Sequence, residues 1–105
     1  MEWPSDADGD VFRRLHESGF DFTQPRVIDF NVDYPEWPPV EEALKALRAN
    51  FGKIALHEPD ENGAGYVQFQ IEGNVKYETV MDVQKRATEL TGRLGGICES
   101  WGVFE

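Results

Sequence analysis

Cysteine is almost absent. The 105-residue chain has one, Cys98, so neither an intrachain disulfide nor a thiolate metal site can be built from it. No run approaches the roughly 18 apolar residues that a membrane helix needs. The opening Met1-Glu2-Trp3-Pro4-Ser5-Asp6 lacks the basic start and apolar stretch of a secretory leader. Both shortages point to the cytoplasm. Positive charge is the third scarcity: ten bases stand against twenty acids, a formal net charge of −10. Such a field keeps a small protein dissolved, repels phosphate backbones and draws in cationic partners at rates that fall with salt. Direct nucleic-acid binding is disfavoured on that ground.

What is present suffices for one core. The apolar fraction is 40%, with seven Phe, three Trp and three Tyr, and the length fits a single domain over residues 1–105. An acidic segment, residues 1–19, contains a helix over 8–18 in which Val11, Phe12 and Leu15 share a face and Gly19 stops the run. From Arg26 to Tyr34 the period changes to two. Ile28, Phe30, Val32 and Tyr34 point one way, and Val27, Asp29, Asn31 and Asp33 the other, which predicts a strand with one buried face. Pro35, Pro38 and Pro39 break it. Val40, Ala43, Leu44, Leu47 and Phe51 recur at helical spacing up to Gly52. A short strand over 53–59 and a return strand over 66–72 flank Asn62-Gly63, a pair that turns hairpins through positive φ. A helix over 75–93, with Val80, Val83, Ala87, Leu90 and Leu94 on its stripe, leads through Gly95-Gly96 to a last strand over 97–104. The order over 26–104 is βαββαβ. Two right-handed crossovers around a hairpin make this an α+β, ferredoxin-like sandwich, a four-stranded antiparallel sheet with two helices on one face plus an additional N-terminal helix. Strands 26–34 and 66–72 are expected at its centre.

Several residues in this frame are familiar together. Val11-Phe12-x-x-Leu15, Gly19-x-Asp21-Phe22 and Pro25-x-Val27-x-Asp29-Phe30 at the start, with Gly95-Gly96 and Trp101-Gly102 at the close, resemble the RraB family of ribonuclease E inhibitor proteins. The resemblance spans nearly the whole chain. It implies a ferredoxin-like domain that binds the basic, non-catalytic scaffold region of ribonuclease E and restrains RNA turnover, and it brings no catalytic residues and no cofactor.

The chemistry-bearing motifs fit that outcome. Asp6, Asp8, Asp10 and Glu17 occupy the first, third, fifth and twelfth places of a calcium loop, but the sixth is Val11 instead of glycine and the apolar spacing predicts a helix. Helix capping explains the acids without metal. His16 and His57 have no partner at ligand spacing, and Cys98 has no neighbouring base to activate it. Gly63-Ala64-Gly65 belongs to the hairpin and lacks the rest of a phosphate loop. RNA-binding sheets of this architecture carry aromatic residues and bases on the central strands. Here the outward positions are Val27, Asp29, Asn31 and Asp33, and Tyr66, Gln68, Gln70 and Glu72.

The bases are spaced to be neutralised locally: Asp10–Arg14, Arg13–Glu17, Glu41–Lys45, Asp82–Arg86 and Glu89–Arg93 are each four apart on helices. The expected partner-binding set is therefore the remaining acid with one aromatic anchor: Asp6, Asp8, Asp10, Asp29, Asp33, Glu36, Trp37, Asp60 and Glu61. The expected partner is an arginine-rich polypeptide segment, since the guanidinium fork makes two parallel hydrogen bonds to a carboxylate. The protein is expected as a monomer or weak homodimer. An alternative of another class is a small-molecule-sensing ferredoxin-like module that dimerises through its sheet edges. A DNA-mimic protein would need regularly spaced carboxylates, which this chain lacks.

Overall fold

A computed structural model describes residues 3–61 and 63–103. Its elements are α1 (Ala7–Glu17), β1 (Arg26–Tyr34), α2 (Glu41–Phe51), β2 (Ile54–His57), β3 (Gly65–Gly73), α3 (Tyr77–Thr91, continued by a 3-10 turn over Gly92–Leu94) and β4 (Ile97–Val103). The strands form one antiparallel sheet in the order β2-β3-β1-β4, so the first and third strands are central, as the ferredoxin-like topology predicts. The fold is α+β and ferredoxin-like, with an N-terminal helix added.

The two-residue period of β1 sets the layers. Ile28, Phe30, Val32 and Tyr34 are each at most 1% exposed and pack with Val67 and Phe69 of β3 beneath α2 and α3. Phe51, closing α2, stacks on Phe69 with ring centroids 4.1 Å apart. On α3 the buried residues are Val80, Gln84, Ala87 and Thr91, so two polar side chains occupy the stripe while Val83 and Leu90 are only partly covered. Thr91 satisfies itself by donating to the Ala87 carbonyl at 3.0 Å.

The leading helix packs on the helical side of the sheet. Phe12, fully buried, lies 5.1 Å from the Trp101 ring and 6.0 Å from Tyr77 of α3. Trp101 is opposite Phe30 across the β1–β4 ladder and therefore shares its buried face. Trp3 and Phe22 stack around Phe12 at 5.6 and 6.0 Å, so Trp3 is part of the packing. Asp6 caps α1, accepting from the Gly9 amide at 2.6 Å. Position 9 must be glycine: a Cβ there would sit 1.9 Å from the Pro4 carbonyl oxygen. Among the described residues, no helix lies on the opposite face of the sheet.

Local details depart from the sequence expectations. In the β2–β3 hairpin, Asp60 and Gly63 exchange backbone hydrogen bonds at 3.1 and 3.3 Å, so the two central residues are Glu61 and Asn62. Asn62, half of the expected turn pair, lies outside the described residues. Cys98 is buried, at 4% exposure. The expected end of the last strand, Phe104, lies outside the described residues. Among them, no helix is long and apolar enough to cross a membrane.

Candidate functional site

Alternation along β1 and β3 leaves a polar surface on the uncovered face, and cross-strand register orders it. Asp29 is opposite Gln70, Asn31 opposite Gln68, and Asp33 opposite Tyr66. Gln70 Nε2 donates to Asp29 Oδ1 at 2.7 Å, Gln68 Nε2 donates to Asn31 Oδ1 at 3.1 Å, and Asn31 Nδ2 donates to Ser100 Oγ of β4 at 3.1 Å. The amides thus point their donors into the row and hold the acceptors in fixed places. At the β2 end, His57 stacks on Tyr66 with centroids 4.6 Å apart and planes 12° from parallel. Its Nε2 is buried without a hydrogen-bond partner.

One irregularity brings further charge to this surface. Val32 pairs with Cys98 and Asn31 with Ser100, so Glu99 is an extra residue bulged from β4. The bulge is what allows Cys98 and Trp101, three apart, both to face the helices. Partial burial, and then the Glu99 carboxylate, raise the Asp33 carboxyl above its usual 3.8. Burial pushes the Cys98 thiol up to about 12, with Asp33, Asp8 and Glu99 adding to the shift. That thiol is protonated at neutral pH and sheltered, unsuited to nucleophilic work. Carboxylates from β1, α1 and β4 therefore all act on this thiol at the β4 edge.

The expected binding residues fall into three groups. Asp29 and Asp33 lie on the open face. Glu36, Trp37, Asp60 and Glu61 lie in the loops after β1 and β2; Trp37 is partly buried, and a Cβ added to Gly65 would meet its ring at 2.3 Å. Asp6, Asp8 and Asp10 ride on α1, on the helical side, and do not join the open face directly. They are also engaged. The Tyr77 hydroxyl donates to Asp6 Oδ2 at 2.6 Å, Trp101 Nε1 donates to Asp8 Oδ1 at 2.8 Å, and Arg13 pairs with Asp10. Because Tyr77 and the Gly9 amide donate to it, the Asp6 carboxyl is held below its usual value, and the same bond raises Tyr77 to about 12. The segment that mimics a calcium loop is thus a capped helix.

The ion pairs that form differ from those the helical spacing suggests. Arg13 chooses Asp10, Arg48 reaches Glu41 at 3.4 Å, and Arg93 crosses from the 3-10 turn to Glu42 of α2 at 2.7 Å. Arg26 lies over the Phe20 ring, 5.1 Å from its centroid. These cations are absorbed on the helical side or at the end of β1, and the open face keeps its acid character.

Two site residues escape a reading of sequence alone. Glu99 is one; its signal was the three-residue gap between two inward side chains, Cys98 and Trp101. Gln84 is the other; the spacing Val80, Gln84, Ala87, Thr91 places it on the buried stripe.

With this geometry in place, comparison with known families gives one result. A family model described as regulator of ribonuclease activity B, RraB, matches residues 5–103. No curated protein matches the chain at a significant level.

Proposed function

We propose, since the chain belongs to the RraB family of regulators of ribonuclease activity, that it is a non-catalytic, cytoplasmic binding domain that occupies a basic, arginine-rich polypeptide segment, such as the scaffold region of ribonuclease E, and so modulates RNA turnover. The observation that carries this reading is the uncovered sheet face. It presents Asp29 and Asp33 within a row of oriented amides, and among the described residues no helix lies over it. The bulged Glu99 continues that charge around the β4 edge toward Asp8.

In this reading Asp29, Asp33 and Glu99 supply the central attraction. Asp6, Asp8 and Asp10 extend it along α1, and Glu36, Asp60 and Glu61 steer from the loops, with Trp37 as an apolar contact. An arginine-rich segment suits the row because each carboxylate offers two oxygens to a planar fork of donors. Polyanions are repelled by the same field. Regulation follows from occupancy: a scaffold segment held here is withheld from its other partners.

Pull-down of ribonuclease E scaffold fragments at low and high salt tests the reading. Binding should weaken steeply toward 0.5 M salt, where the Debye length shrinks to about 4 Å, and Asp29→Lys with Asp33→Lys should lower affinity by roughly tenfold or more. Binding indifferent to both would overturn it.

A further inference from the structure

A groove of about 500 Å³ runs between α3 and the β4 edge strand, lined by Met81, Gln84, Lys85, Thr88, Cys98 and Glu99 and bordered by Asp8, Asp82 and Glu89. Its floor is apolar: Met81, the Thr88 methyl and the buried Cys98 line it. Its rim is acidic, four carboxylates (Asp8, Asp82, Glu89, Glu99) against the single ammonium of Lys85.

Within the groove one polar group is unsatisfied. Gln84 is 5% exposed, and its Oε1 has no hydrogen-bond partner. The rest of that side chain is spoken for, since its Nε2 donates to Asp8 Oδ1 at 3.4 Å. A buried amide oxygen left without a donor destabilises the fold, and folded proteins rarely leave one so without a reason. A hydrogen-bond donor would satisfy that oxygen, and the acidic rim favours a cationic one.

We propose that this groove seats an arginine side chain of the partner segment, its stem on the Met81–Cys98 floor and its guanidinium shared between the Asp8 and Glu99 carboxylates and the buried Gln84 Oε1, which a small rotation of that side chain brings to the groove surface. The assignment rests on the proposed function, since it presumes a basic partner, and goes beyond it by naming where one residue docks. Arginine fits better than lysine. Its three methylenes match an apolar floor, its cation is weakly hydrated, and its several donors can serve an amide oxygen and carboxylates together. Glu99 joins this groove to Asp33 on the open face, so one extended segment can lay an arginine here and continue across the sheet.

The test titrates the full-length, isotope-labelled protein with two disordered peptides of equal length and charge, one carrying arginines between glycines and serines, the other lysines at the same places. Expected are a roughly tenfold tighter arginine complex and shifts of the Gln84 side-chain amide and the Glu99 backbone amide that the lysine peptide does not produce. Gln84→Leu should bring the two peptides to near parity while low-salt binding persists. Glu99→Gln, at an exposed bulge, gives a second variant that should weaken the arginine preference should Gln84→Leu fold poorly. If both peptides bind equally and shifts are confined to Asp29, Asp33 and their neighbours, the groove assignment falls and the basic-partner reading stands. If neither binds, both fall. Gln84 shifts that grow with protein concentration alone would assign the groove to a second copy and overturn the proposal.

Discussion

The two faces of the sheet are made from the same strands by the same alternation, yet they obey different rules. On the helical face, Ile28, Phe30, Val32 and Tyr34 are excluded from water, and aromatic rings from six elements or segments pair with centroids 4.1 to 5.6 Å apart. Specificity there comes from volume and shape. On the open face the neighbouring residues of the same strand are tied by side-chain hydrogen bonds between amides, a hydroxyl and a carboxylate. Those bonds are exposed or only partly buried and contribute little net stability, but they fix where the acceptors stand. One face folds the chain; the other presents it.

The contrast can be broken most severely from the dry side. Phe30→Ala removes a fully buried ring that stacks on Phe69 at 5.4 Å and should cost about 3–5 kcal/mol, measured by urea denaturation. Trp101→Phe keeps the ring contact with Phe12 but deletes the Nε1 donor to Asp8. It should cost about 1–2 kcal/mol in the same assay and release part of α1, seen as faster amide exchange over Ala7–Glu17.

On the open face the sign reverses. The Asp33 carboxyl is raised by burial and by Glu99, so its ionisation costs the folded state. Stability tied to this group is lost as pH rises from 3.8 through the raised value. Asp33→Asn should therefore raise the melting temperature by roughly 1–3 °C at pH 7, with the gain vanishing near pH 3. The smallest effect is expected from Gln68→Ala, which cuts the amide row at Asn31 and should change stability by less than about 0.5 kcal/mol. It should nevertheless reduce affinity for an arginine-rich peptide in calorimetry, by freeing the row's acceptors to wander. Equal effects on stability from Phe30→Ala and Gln68→Ala would erase the division of labour between the faces.

Much of the architecture was legible because strong periodicities set it. The Arg26–Tyr34 alternation yields β1 with its ends in place, and the glycine stops at 19 and 52 bracket the first two helices. The position of α1 was not legible, because Val11, Phe12 and Leu15 say that one face is buried without saying against what. Only the tertiary contact of Phe12 with Trp101 decides it. The ion pairs were misread for a related reason. Four-residue spacing marks neighbours on an isolated helix, whereas Arg93 finds Glu42 across a helix interface that sequence does not display. The candidate site was half visible: Asp29 and Asp33 follow from strand parity, but the bulge that adds Glu99 is a break in parity.

Asp8 Oδ1 accepts from the indole of Trp101 and the amide of Gln84, so a single oxygen stitches the first helix, the third helix and the last strand to one another. That knot lies at the mouth of the groove. An arginine drawn to this carboxylate would be pulling on the thread that holds the amino-terminal helix in place, so ligand capture and the firmness of that helix belong to one equilibrium.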